Sequence, residues 1–132
     1  MAKKKIEKEK LEKDIQREVC EKLESFGCMF WRSPNVPIFA QSNDGKMRFR
    51  RPSKYTPKGI PDVTVILKGK FIGLEIKTKK GIMRPDQEIF RNNLIKNGGR
   101  YYIVRDVSDL NLLPEFQEFY EQTPGFMQIQ EL

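Results

Sequence analysis

Two carboxylates and an ammonium lie near one another in this chain. Asp62 closes Gly59-Ile60-Pro61-Asp62, and Glu75 and Lys77 belong to Glu75-Ile76-Lys77. Paired acids suit a hard divalent cation, which binds through one or two carboxylates and leaves its other positions to water and substrate phosphate. The adjacent lysine could hold an attacking water or stabilise charge growing on a phosphate. In the plain alternative Asp62 is a turn residue at a strand start, and Glu75 and Lys77 are a solvent-facing charge pair. A lone Glu-x-Lys tripeptide carries little information. The sequence contains no histidine. That removes His-dependent general-base catalysis, Ser-His and Cys-His nucleophiles and Cys2His2 zinc fingers together. Hydrolysis in this chain has to use carboxylate, lysine and an activated water.

For these groups to meet, two strands must pair in one register. Asp62–Leu67 and Phe71–Thr78 are rich in β-branched residues, and Lys68-Gly69 stands between them. Such runs around a short Gly-containing turn read as a hairpin. A two-residue loop pairs Leu67 with Lys70 and, counting outward, Asp62 with Glu75. A four-residue loop on the same centre leaves that pairing unchanged. Directly opposed Cβ atoms lie roughly 4.5–5.5 Å apart. Strand alternation places Lys77 on the face of Glu75 and sends Ile72, Leu74 and Ile76 to the other face, into a core. A three-residue loop opposes Asp62 to Ile76 and puts the acids on different faces. Like charges facing across a ladder destabilise it unless something neutralises them, which is a further reason to expect a cation there.

With Arg84-Pro85-Asp86-Gln87 downstream, these motifs resemble the PD-(D/E)-x-K nuclease superfamily, and within it the VRR-NUC group, small virus-type members included. The likeness runs from Glu18 to near Val107. The resemblance implies that Asp62 and Glu75 ligate Mg2+ or Mn2+, with the main-chain carbonyl of Ile76 as a third ligand. It makes Lys77 the water-positioning lysine and Gln87 a supporting glutamine; by spacing alone Gln87 is equally a surface residue. It also implies a glutamate on the first helix, where Glu18 matches best in position, directly or through water. Glu21 and Glu24 compete for that role, because one periodic helix does not single out a glutamate.

Length and composition fit this resemblance. The 132 residues suffice for one domain. Lysine and arginine total 25 against 18 acids, and the net charge of +7 attracts polyanions. A ribosome-like or merely basic protein shares that property. No run approaches the roughly 18–20 apolar residues that cross a bilayer, and no apolar signal core follows the basic start, so a cytoplasmic, non-membrane protein is expected. Cys20 and Cys28 are too few for a disulfide scaffold and lack metal-finger spacing.

Residues 1–10 read as a flexible basic N-terminus, 11–122 as a single domain and 123–132 as a tail whose Phe126, Met127 and Ile129 suit packing on the body or on a partner subunit. Ile6, Leu11, Ile15, Val19, Leu23 and Phe26 predict a long amphipathic helix ended by Gly27. Met29–Arg32 reads as a strand. Residues 33–58 form a basic insertion broken by Pro34, Pro37, Pro52 and Pro57, with Asn43-Asp44-Gly45 as the tip of a small hairpin from Ile38-Phe39 to Met47–Phe49. Arg48, Arg50, Arg51, Lys54 and Lys58 in that insertion, and Lys79 and Lys80 after the hairpin, are the candidates for DNA-backbone contact. A solvated, charge-rich loop is the alternative reading. Pro85 fits the first position of a helix carrying Gln87, Phe90, Arg91 and Leu94 and ending at Gly98-Gly99. Tyr101–Arg105 reads as a strand, and Ser108 as the cap of a last helix to Tyr120.

The fold expected is α/β, a restriction-endonuclease-like core with a central mixed sheet flanked by helices, in the order α-β-β-β-α-β with a C-terminal helix. The activity expected is metal-dependent hydrolysis of DNA phosphodiesters. The resemblance adds branched substrates such as four-way junctions and a homodimer. A non-catalytic DNA-binding subunit, and a nuclease for flaps, nicks or single strands, are the alternatives.

Overall fold

Residues 9–33, 39–41, 43–49 and 54–121 are described by the structure, a computed structural model. Helix α1 (Glu12–Phe26) forms because Ile15, Val19 and Leu23 recur every four residues, and all three are buried. Glu12 and Asp14 in its first turn complement the positive helix start. Gly27, at φ 74°, ends it in the left-handed conformation, with the Gly27 and Cys28 amides bonded to the Glu24 and Leu23 carbonyls. The helix is shorter than its apolar periodicity predicts: Leu11 is already extended, and Ile6 lies outside the described residues.

Strand β1 (Met29–Arg32) is followed by a separate two-stranded hairpin, β2 (Phe39–Gln41) with β3 (Met47–Phe49), as the turn residues predict. Strands β4 (Val63–Leu67) and β5 (Lys70–Ile76), helix α2 (Pro85–Lys96) and strand β6 (Arg100–Val104) complete the body. The main sheet has the order β1-β4-β5-β6. Its first two pairings are antiparallel, and β5 and β6 run parallel because α2 crosses between them.

The β4–β5 turn fixes the register. Lys68 and Gly69 both have positive φ, 51° and 79°, the signature of a two-residue turn matched to strand twist. Leu67 pairs with Lys70 and Val63 with Leu74, so one step outward brings Asp62 opposite Glu75.

The two faces of this sheet differ. Val63, Val65, Ile72, Leu74, Ile76 and Val104 form one core with the α1 stripe and with Leu110 and Phe116. Each fully buried aliphatic side chain contributes roughly 1.5–3 kcal/mol. The other face carries Thr64, Glu75 and Tyr101, also buried.

The end of the chain departs from the single helix predicted. Val107–Leu112 and Pro114–Phe116 are tight 3₁₀ turns, and only Gln117–Glu121 (α3) is α-helical. Proline disfavours a helical conformation in the residue before it, and Leu113 is extended at φ −87°, ψ 127°. The cap is Asp106, not Ser108: its carboxylate accepts the Ser108 amide and hydroxyl. Phe119 stacks on Phe26 at 4.6 Å between ring centres, closing this end over α1. No helix among the described residues is long and apolar enough to cross a membrane. The proposed tail, 123–132, lies outside the described residues, as do residues 1–8 of the N-terminus.

Candidate active site

Asp62 is the last residue before β4, and its position depends on Gly59. Gly59 has φ 75°, and a Cβ there would fall 2.2 Å from the main-chain oxygen of Asp86. Only glycine lets Gly59–Asp62 lie against the start of α2. Pro61 then packs over Gly73, where a Cβ would stand 2.9 Å from the proline ring. The Asp62 carboxylate accepts the amide of Ile76 at 2.9 Å, so a buried main-chain bond ties the site to β5.

Glu75 is almost fully buried, at 2 % exposure. Its Oε1 accepts the Gln87 amide at 2.8 Å and lies 3.5 Å from the Lys77 ammonium. Its Oε2 takes the Tyr101 hydroxyl at 3.4 Å. Burial pushes the Glu75 carboxyl up to about 8, and the charge of Asp62 and a hydrogen bond with it act in the same direction; Lys77 opposes them. At neutral pH the metal-free Glu75 carboxyl therefore keeps a proton. Burial and the Glu75 charge likewise raise the Tyr101 phenol.

Gln87 sits in the first turn of α2, where Pro85 starts the helix as expected. Its Oε1 accepts the Arg84 amide at 2.9 Å, which orients the side-chain nitrogen towards Glu75. Lys77, one residue beyond β5, bonds its own amide to the Val104 carbonyl at 3.1 Å and is 8 % exposed. Asp62, Glu75, Lys77 and Gln87 thus converge, with Ile76 between the two acids.

Glu18 has another partner. Its carboxylate pairs with Lys10 at 2.9 Å, and the same ammonium reaches Asp106 at 3.5 Å. Among the described residues no group of three or more acidic or cysteine side chains converges as a cation site. Lys54, Lys58, Lys79 and Lys80 are exposed, and the Lys54 ammonium lies 4.9 Å over the Tyr55 ring. The side chain of Arg48 and the whole of Arg50 and Arg51 lie outside the described residues.

Tyr101 is the site neighbour that sequence reasoning missed. It reaches Glu75 because β5 and β6 pair Gly73 with Tyr101 in parallel register. Only the tyrosine-rich start of that strand, read together with its crossover helix, could have pointed to it.

The donor set fits a hard divalent cation. Positive charge beside the two buried carboxylates would offset the burial and like charge that raise Glu75, and oxygen donors without histidine or thiolate favour Mg2+ or Mn2+ over softer ions.

No family model matches the chain, and no curated protein matches it in sequence. A solved structure described as a VRR_NUC domain does match, at 21 % identity and a TM-score of 0.54, over 83 % of this chain and 96 % of the other. The mixed four-stranded sheet with flanking helices accordingly has the restriction-endonuclease-like α/β fold of a VRR_NUC domain.

Proposed function

We propose that this chain is a divalent-metal-dependent endonuclease that hydrolyses DNA phosphodiester bonds. The observation that carries the reading is the meeting of Asp62, Glu75 and Lys77 at one end of a hairpin, with Gln87 fastening Glu75 to α2. The nuclease named by the description of the similar solved domain supports it, as does the net charge of +7. Asp62 and Glu75 would hold Mg2+ or Mn2+, with the Ile76 carbonyl beside them. A cation there supplies Lewis-acid charge at the phosphate and lowers the pKa of a water.

This chain's own groups do the rest. Gln87 and Tyr101 each fix one oxygen of Glu75, so the carboxylate is oriented before substrate arrives. Lys77 is held beside Glu75, where it orients the attacking water and stabilises charge developing on the phosphate. Lys54, Lys58, Lys79 and Lys80, with Arg48, Arg50 and Arg51, would contact the DNA backbone. The motif resemblance extends the proposal to branched DNA and a homodimer, which would supply two cutting sites at fixed separation.

Labelled linear, flap and four-way-junction DNAs incubated with Mg2+, Mn2+ or EDTA test this reading. Cleavage with metal alone is expected, and Lys77→Ala should lower its rate roughly 100- to 1,000-fold while DNA is still bound. Full activity in that variant removes Lys77 from the chemistry. Binding without cleavage of any substrate favours a non-catalytic DNA-binding subunit. Light scattering reads the oligomeric state.

A further inference from the structure

We infer that Arg105 is a positioning residue for Lys77, acting through the turn Thr78–Gly81; the inference rests on the role proposed for Lys77. Arg105 follows β6, and one of its terminal guanidinium nitrogens, Nη1, donates to the carbonyls of Thr78 at 2.7 Å and Gly81 at 2.8 Å and lies 3.4 Å from that of Lys79. Three main-chain oxygens of one turn therefore converge on a single cationic group. The turn is closed by the Gly81 amide on the Thr78 carbonyl at 3.1 Å.

This turn lies against the side chain of Lys77. A Cβ on Gly81 would stand 3.4 Å from both Cβ and Cδ of Lys77. The turn therefore limits where the lysine stem can go, and the ammonium it carries is the one 3.5 Å from Glu75. The base of Arg105 is fixed in its turn: its amide donates to Asp109 Oδ2 at 2.9 Å, and the same oxygen takes the Asp106 amide at 3.2 Å. Hydrogen bonds therefore run from Asp109 through Arg105 to the turn, and the turn lies beside the stem that carries the Lys77 ammonium. Lysine could not replace this arginine in full, because a planar guanidinium holds several donors in fixed directions whereas an ammonium is a compact point charge on a flexible stem. The same turn carries Lys79 and Lys80 at the surface, so its placement also sets where those cations meet a phosphate backbone.

The test uses the full chain with Arg105→Ala, Arg105→Lys, Lys77→Ala and the Arg105→Ala/Lys77→Ala double variant, each confirmed as folded by thermal melting. Two quantities are read: the rate at which Lys77 is acylated, by mass spectrometry with the exposed Lys68 as internal control, and single-turnover cleavage of DNA in Mg2+. Arg105→Ala should speed acylation of Lys77 severalfold with Lys68 unchanged, and should slow cleavage roughly 10- to 100-fold, as expected for a residue that orients a functional group. Arg105→Lys should recover part of both, and the double variant should be no slower than Lys77→Ala alone. Unchanged acylation of Lys77 in folded Arg105→Ala, or a cleavage loss that adds in full to that of Lys77→Ala, overturns the proposal. The acylation arm needs no catalysis: if the wild-type chain cleaves nothing, the nuclease reading fails while the positioning of Lys77 is still decided.

Discussion

Glu75 is where the competing demands of this site meet. Four side chains converge on it, and its buried carboxyl is held up to about 8 from an ordinary 4.5. The folded, metal-free protein therefore keeps a proton that the unfolded chain releases. A raised folded-state pKa gives stability that is present in full below 4.5 and lost as pH rises through about 8. Denaturant titrations in EDTA should show stability falling across that window and levelling above it. Glu75→Gln should flatten the profile and raise stability at pH 8, while abolishing calorimetric Mn2+ binding. A wild-type profile no steeper than that of Glu75→Gln would show that the fold does not hold Glu75 protonated. Asp62, Glu75 and Lys77 were legible in the sequence because strand alternation and a two-residue turn determine their faces. Gln87 could be named only through the motif likeness, since a helix offers several polar positions at similar spacing. Tyr101 depends on a parallel pairing across a crossover helix, a relation that no local pattern encodes. For Glu18 the periodicity placed the helix but not the partner, and in the structure that partner is Lys10.

At the scale of elements, the contact between Gly59 and the start of α2 joins the two halves of the site. Gly59→Ala combines a positive φ with an approach of 2.2 Å to a main-chain oxygen. Both the conformational strain and the overlap must be relieved by moving Asp62 away from α2, at an expected cost of about 2–4 kcal/mol. Urea melts should show the loss, and Mn2+ affinity measured on the folded fraction should fall with it. Wild-type stability in this variant would mean that the close approach is not maintained. Helix α1 and strands β4 and β5 were readable because their apolar periods are strong, whereas α2, whose only buried residue is Gln87, was marked by the Pro at its start and the Gly after its end. The terminal segment was not: its apolar residues look helical in period, but Pro114 forces Leu113 out of the helix and Asp106 competes successfully for the Ser108 amide.

Over the whole molecule, the aliphatic core and the polar cluster use opposite faces of one sheet, and positive charge is spread over the exposed turns. Binding of DNA should weaken linearly in log–log dependence on salt, each phosphate contact adding about 0.9 to the slope on duplex DNA. Replacing Lys79 and Lys80 together by alanine should reduce that slope by up to about 1.8 if both contact phosphates. Filter binding between low and moderate salt reads it directly, and an unchanged slope takes the turn after β5 out of the interface. The overall architecture was accessible from sequence because element order and chain length admit few packings. The placement of the basic insertion was less so, since several prolines and a high charge leave it no period to follow.

The amide of Ile76 has a place in both parts of this design. It belongs to a residue whose side chain lies in the aliphatic core, yet its hydrogen is held by the Asp62 carboxylate. Releasing that hydrogen to solvent requires the central strands to separate, so its exchange with deuterium should be among the slowest in the protein and should report the free energy of global opening. On that expectation the Asp62 carboxylate is held as firmly as the strand whose amide it accepts, and it comes loose only when the sheet does.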